Sequence, residues 1–482
     1  MIVVMKMTSF LAAGTLVFSL TAAPLTARAD DAATLAALQA QLKALSEQVQ
    51  ALNAKVEAQN ATIEHQQQQI ATQKAAPVIA APAATAAQAW DAQAVASAPP
   101  VVSGGKTPVR LTMGQRLKIE SADGLYSFEP YGRANFDVTM FNDDQLDRAN
   151  NAAVRRARLG FRGKLGEDFA YRMEMDFGNE DTNIRDAFLT YSGLEFADLH
   201  LGNMKPAFGF EQLTSSNDLL MVERAAVSNA FTRGHILGGT VTSGGKNWSL
   251  RTGIYNEDAR VNNGTDDEAV SFDARLTTDL LRDSDNVLHV GAGGSWRKPN
   301  SATNSMTFAA APAGTGPLSI VSTGAIADVD NALLYGAELG AVFGPWSLQS
   351  EYMIADVTRS GAPSARFDGW YAQTGWLLTG ERRPYDGSTG VFGRVKPKNP
   401  LSLKNGDWGA FEVLARYDTL SLNDAGAGIL GGAVDQYGLG LNWYMLDNVR
   451  MMLNYTHVDS DANAVVPDDS PDVYHLRAQW DF

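Results

Sequence analysis

Cysteine is absent from all 482 residues, which excludes disulfide frameworks, cysteine–zinc sites and thiol nucleophiles. The same absence suits an oxidising compartment, where a stray thiol is a liability. Long apolar runs are missing as well. Past residue 29 nothing approaches the ~20 residues a helix needs to cross a bilayer. Metal-ligand spacing is lacking too, since His65, His200, His235, His289, His457 and His475 form neither HExxH nor another zinc pattern. No Walker-type phosphate loop occurs. No enzyme activity, catalytic residue, metal or cofactor is therefore expected. Positive charge is in deficit: 39 Lys and Arg stand against 54 Asp and Glu, a formal net charge of −15. That balance excludes a nucleic-acid partner, because phosphate contacts need clustered basic residues. It leaves the local charge of any channel undetermined.

What is present divides the chain into four. Residues 1–29 read as a secretory signal peptide, with Lys6 ahead of an apolar run from Phe10 to Leu20 and an Ala27-Arg28-Ala29 cleavage site. Residues 30–74 read as a coiled coil. Leu35, Leu42, Val49, Val56, Ile63 and Ile70 fall seven apart, Leu38, Leu45 and Leu52 follow three behind, and Gln59 and Gln66 weaken the later d positions. β-branched a residues over Leu at d favour two strands. Residues 75–109 are an Ala/Pro-rich linker that cannot bury a core.

Residues 110–482 change texture to a period of two. Phe169, Tyr171, Met173, Met175 and Phe177 share one face, and Arg172, Glu174 and Asp176 the other. Sixteen such runs are expected near 126–138, 154–163, 169–177, 185–191, 197–202, 236–243, 246–256 and 269–280. The others lie near 286–296, 331–341, 345–356, 367–379, 408–419, 433–446, 448–459 and 473–482. An even count and alternating short and long connections fit a transmembrane β-barrel, apolar side outward to lipid. The last run ends Tyr474, Leu476, Ala478, Trp480, Phe482, the alternation and terminal aromatic of an outer-membrane strand. The fold class expected is all-β: a 16-stranded antiparallel transmembrane β-barrel preceded by an N-terminal α-helical coiled coil.

Cations cluster where such a barrel would be lined. Arg156, Arg158 and Arg162 share the face opposite Leu159 and Phe161. An Arg facing lipid at mid-membrane costs about 2–4 kcal/mol, so these three belong in the lumen. There they either meet a passing anion or pair with Glu174 and Asp176. Arg155 points the other way by strict alternation, unless a bulge turns it inward. The long connection 203–235 carries Lys205, Ser215, Ser216, Arg224 and Arg233, cations and hydroxyls suited to an oxyanion if it folds inward. The alternative is a solvated outer loop. Residues 380–407, with Arg382, Arg383, Arg394, Lys396 and Lys398, are long for a periplasmic turn and either enter the lower mouth or lie against lipid phosphates. Asp143-Asp144 and Asp258, Asp266, Asp267 and Glu268 lack EF-hand spacing. They read as loop tips or divalent bridges to lipopolysaccharide.

Over most of residues 120–482 the chain resembles the phosphate-selective porins O and P. The likeness is carried by Tyr131-Gly132-Arg133, by Val154 through Phe161, and by Gly202 through Phe208-Gly209. It continues in Thr214-Ser215-Ser216 with Glu223-Arg224, in Leu378-Thr379-Gly380-Glu381, in Val395-Lys396-Pro397, and in Leu441-Asn442-Trp443-Tyr444. The resemblance implies a trimeric sixteen-stranded porin of the outer membrane with a periplasmic coiled coil. It also implies anion-binding roles for Arg133, Arg155, Arg156, Arg224, Ser215, Ser216 and Lys396. Glu129, Gln212 and Asp386 stand where the phosphate-selective pattern has lysines, and the 297–330 loop has no arginine. Arg158 and Lys205 are additions at positions that are usually uncharged. The expected function is passive diffusion of small anions, phosphate or a related oxyanion, by a homotrimer in contact with outer-membrane lipid and lipopolysaccharide. A general or cation-leaning porin, or a barrel anchoring a coiled-coil tether, are the alternatives.

Overall fold

The computed structural model describes residues 101–102, 109–113, 117–178, 181–256, 267–316, 318–461 and 468–482. The expected signal peptide, the coiled coil and nearly all of the linker lie outside the described residues, as do Asp258 and Asp266.

Sixteen antiparallel strands close into one barrel. They are β1 (Ser127–Asn142), β2 (Asn151–Leu165), β3 (Phe169–Asp176), β4 (Asn183–Leu194) and β5 (Ala197–Met204). Next come β6 (Ile236–Gly244), β7 (Trp248–Tyr255), β8 (Val270–Arg282), β9 (Asn286–Lys298), β10 (Val329–Phe343) and β11 (Trp346–Arg359). The circuit ends with β12 (Ala365–Leu377), β13 (Ala410–Asp424), β14 (Ile429–Leu446), β15 (Val449–Ser460) and β16 (Asp472–Asp481). Each strand pairs with its sequence neighbour, and β16 returns to β1 from Asp472↔Asn142 to Asp481↔Arg133. Every expected strand is present, most of them longer than the alternation alone marks. Among the described residues no helix is long and apolar enough to cross a membrane.

The period of two sorts side chains between two environments. On β1, Phe136, Val138 and Met140 are exposed outward, whereas Asn135, Asp137 and Thr139 are buried within. Aromatic pairs mark the turn-bearing end of the wall. Trp346 stacks on Trp376 at 4.9 Å and Phe411 on Trp443 at 5.6 Å. Such a band is what an interfacial belt requires. Phe482 seals the seam: its amide donates to Gly132 O at 3.1 Å and its carbonyl accepts from Gly132 N. Its ring lies over Gly132, where an added Cβ would sit 2.4 Å from Cζ, and 5.0 Å from the Trp480 ring. Phe482→Asp should leave this seam charged and unpacked, and the heat-modifiable folded band on unboiled SDS gels should drop sharply. An undiminished band would contradict the role given to Phe482.

The lumen is filled unevenly. The connection 205–235 folds inward and carries two short helices, α1 (Phe210–Leu213) and α2 (Ala226–Phe231). The connection 299–328 folds over it. Val227, Phe231, Phe308 and Ile320 pack against Leu334, Phe367, Leu420 and Val434 from the walls of β10 and β12–β14. This apolar plug occupies one side, and cavities remain along the opposite wall.

Candidate functional site

Two β-bulges set the chemistry of that wall. Asn135 pairs with Arg156 and Phe136 with Val154, so Arg155 is an extra residue in β2. The bulge directs Arg155 inward beside Arg156, although strict alternation would send it to lipid. Across the next pair of strands, Met173 faces Ala187 and Met175 faces Ile184, so Arg185 and Asp186 together oppose Glu174. Both of these side chains also face the lumen. Each bulge adds one charged group to the inner wall without moving an apolar residue off the outer wall.

A cavity of about 360 Å³ lies against these strands. Nine cationic side chains border it against three carboxylates, Glu174, Asp186 and Glu223. Some cations are neutralised in place. Arg158 pairs with Glu174 and Asp176, each at 2.8 Å, and Arg172 with Asp186 at 2.8 Å. Arg156 and Arg155 reach Glu223 at 3.0 and 3.3 Å, and a third of the Arg155 side chain stays exposed. Lys205, Arg224 and Arg251 differ. Lys205 Nζ donates to Gln212 O at 2.6 Å, Arg224 Nε to Glu211 O at 3.0 Å, and Arg251 Nη2 to Lys205 O at 3.1 Å. Carbonyls fix these groups without cancelling their charge, and among the described residues none of the three has a carboxylate within 4 Å.

The inward loop is held by polar wall residues. Glu351 accepts from the first two amides of α1, Phe210 N at 2.5 Å and Glu211 N at 2.9 Å, and from the Tyr371 hydroxyl at 2.7 Å. Asp418 accepts from Ala226 N at the start of α2. Arg477 donates to Val222 O and Glu223, and Arg450 to Leu219 O and Leu220 O. From below, Arg383 donates to Asp218 O and Arg394 to the Asp218 carboxylate. Burial pushes Glu223 upward, but Arg156, Arg155 and Arg477 outweigh it and hold its carboxyl well below the usual range. Burial, with Arg224 and Arg158 nearby, pulls the Lys205 ammonium well below the lysine range. Burial also lowers His235 to about 4, against the pull of Asp186.

Eight of the nine expected site residues border this one cavity: Arg133, Arg155, Arg156, Arg158, Lys205, Ser215, Ser216 and Arg224. Lys396 does not. It borders a second cavity of about 570 Å³ toward the turn-bearing end, with Arg394 and Asp447. Arg133, Arg172 and Ser215 border both cavities and therefore stand between them. Arg133 Nη1 donates to Ser216 Oγ at 2.9 Å. The solvated-loop alternative for 203–235 is wrong, because the loop's carbonyls and amides are consumed by the inner wall. Residues 380–407 divide: Arg383 and Phe392 are buried in the lumen, as one of the two alternatives expected, while Lys396, Lys398 and Leu403 are exposed. Arg162 sits lower than its two strand-mates and pairs with Glu129 at 2.5 Å. Sequence reasoning missed Arg172, Arg185 and Arg251. Arg172 could have been found, since it shares a face with Glu174 and Asp176. Among the described residues no cluster of metal ligands occurs.

Residues 128–482 match the family described as phosphate-selective porin O and P. The chain belongs to that family. It is an outer-membrane porin. An uncharacterized protein of Caulobacter vibrioides is 30% identical over 412 residues, covering 82% of this chain and 81% of that one. Porin O of Pseudomonas aeruginosa is 27% identical over 440 residues, covering 83% and 98%. Among solved structures, OmpT of Vibrio cholerae is similar to this porin at a TM-score of 0.49 and 12% identity, over 74% of this chain and 98% of that one. The anion-selective porin from Comamonas acidovorans follows at 0.47 and 13%, over 74% and 100%.

Proposed function

We propose that this porin conducts small anions, phosphate or a related oxyanion, by passive diffusion past the β1–β7 wall. The observation that carries the reading is the imbalance around the 360 Å³ cavity, nine cations to three carboxylates. Within it, Lys205, Arg224 and Arg251 keep uncompensated charge. Fixed positive charge beside a narrow path is the requirement for anion selection. The hydroxyls of Ser215 and Ser216 add neutral donors, and guanidinium groups can grip an oxyanion with two parallel bonds. Arg133, Arg155, Arg156, Arg158, Lys205, Ser215, Ser216 and Arg224 are the proposed anion-binding residues, with Lys396 at the lower mouth. Export by residues 1–29, a periplasmic coiled coil over 30–74 and assembly as a homotrimer amid lipid and lipopolysaccharide complete the proposal.

A general porin is the second reading. It draws on the net charge of −15 and on the saturation of Arg158 by Glu174 and Asp176. Reversal potentials in planar bilayers under a KCl gradient separate the two. Chloride preference, with phosphate blocking the chloride current, is expected, and potassium preference would rule for the general porin. Gln212 borders the cavity where the phosphate-selective pattern has lysine. Gln212→Lys should therefore strengthen the phosphate block. An unchanged block would remove Gln212 from the ion path.

The lowered pKa of Lys205 adds a pH signature. The ammonium is charged below its pKa, so positive charge is lost as pH rises through a midpoint below the usual lysine range. Anion preference should fall as pH rises through that midpoint. Lys205→Arg should abolish that slope, because arginine stays protonated. A slope that survives this substitution would have another origin.

A further inference from the structure

Beyond the pore, the exposed part of the long connection after β12 forms a preorganised finger. Ser402 and Asp407 bridge antiparallel, with Ser402 N donating to Asp407 O at 3.0 Å and Asp407 N to Ser402 O at 3.1 Å. Gly406, at φ 80°, closes the turn in a conformation that side chains resist. The tip presents Leu403, 72% exposed, next to an exposed Lys404. Trp408, at the base, is 58% exposed. For a segment standing free in water, this is an unfavourable combination of large apolar side chains on an ordered turn.

The finger is fastened to the membrane-facing end of the wall. Leu401 N donates to Met445 O at 2.8 Å, and the Trp443 indole donates to Trp408 O at 2.6 Å. Trp443 is itself stacked on Phe411 in the aromatic belt. Trp408 thus continues that belt by one residue beyond the strands, at the level where lipid headgroups begin. Two cations frame it. Lys404 is exposed at the tip, and Lys398, three residues before Leu401, is exposed with its ammonium on Gly380 O at 2.6 Å and its amide on the Glu381 carboxylate at 3.0 Å. Asp407 is the one acid in the turn. Apolar side chains flanked by lysines at an interface match an acyl-chain edge topped by phosphate.

We propose that residues 398–408 form a docking site for anionic phospholipid of the periplasmic leaflet, with Leu403 and Trp408 among the upper acyl carbons and Lys398 and Lys404 on the phosphate. The inference rests on the barrel and its belt and is independent of which ion the pore prefers. The test uses full-length porin in phosphatidylcholine bilayers with and without phosphatidylglycerol. Lipids brominated near the headgroup should quench wild-type tryptophan fluorescence more than that of Trp408→Phe, which retains the carbonyl that Trp443 uses. Native mass spectrometry should show phosphatidylglycerol retained over phosphatidylcholine, with Lys398→Gln/Lys404→Gln lowering that preference several-fold. Heat-modifiability confirms that each variant is a folded barrel. Equal quenching of wild type and Trp408→Phe would overturn the proposal by placing Trp408 in water or against protein. An undiminished phosphatidylglycerol preference in the double variant would overturn it equally.

Discussion

Replacing Arg156 and Arg158 together with glutamine should shift the reversal potential toward cation preference and relieve any phosphate block. A unit charge about 8 Å from the ion path contributes ~2 kcal/mol at an effective dielectric near 20. Screening over a Debye length of about 8 Å leaves roughly a third of that. Losing two such charges should therefore change the access of each ion about tenfold in opposite directions, and the anion-to-cation permeability ratio about a hundredfold. The partners deepen the effect. Glu174 and Asp176 each lose their 2.8 Å contact with Arg158, and Glu223 loses Arg156, so carboxylates are unmasked as the cations leave. Arg133, Arg185 and Arg477 still reach these acids, which should spare the fold. Unchanged permeability in a correctly assembled double variant would place the ion path elsewhere.

Glu351→Ala should loosen the constriction without opening the barrel. Its carboxyl group takes two α1 amides and the Tyr371 hydroxyl. Deleting it leaves buried donors unmatched at about 1–3 kcal/mol each. The strand ladders on either side of β11 are untouched, so the cost should fall on the loop. Single-channel conductance should rise and ion selectivity weaken together, with noisier open currents. Glu351→Gln, which keeps one acceptor oxygen, should lie between. If conductance stayed at the wild-type level in the alanine variant, α2 and the Arg477 and Arg450 contacts would be sufficient to hold the loop.

The barrel was legible because lipid and lumen impose opposite polarity on alternate residues, so each of the sixteen strands carries its own record. Strand ends were less so. β1 runs to Asn142 rather than to 138: the alternation holds through Thr139 and Met140 and breaks only at Phe141, which packs against the apolar plug. The site was legible as a set of charged residues but not as an arrangement. Arg155 needed a bulge, which leaves no mark in the order of residues beyond one charge out of phase. Glu223 entered only beside Arg224 as part of the family likeness, with no partner assigned. Its partners Arg156 and Arg477 lie 67 and 254 residues away, and only the closed barrel brings them together. The division of residues 380–407 into a buried and an exposed part was hidden for the same reason: both parts carry cations, and only the buried Phe392 and the exposed Leu403 tell them apart.

The bulges at Arg155 and at Arg185–Asp186 also bear on how such a pore can change over generations. Removing Arg155 alone would bring Val154 and Arg156 into an unbroken ladder with Phe136 and Asn135, leaving every outward residue of β2 outward. Removing Arg185 or Asp186 would do the same opposite Glu174. One deletion subtracts a cation and another subtracts an acid, and neither slips the register on which membrane insertion depends. Selectivity in this architecture can therefore drift by single-codon insertions and deletions, a class of mutation that in most β-sheets destroys the fold.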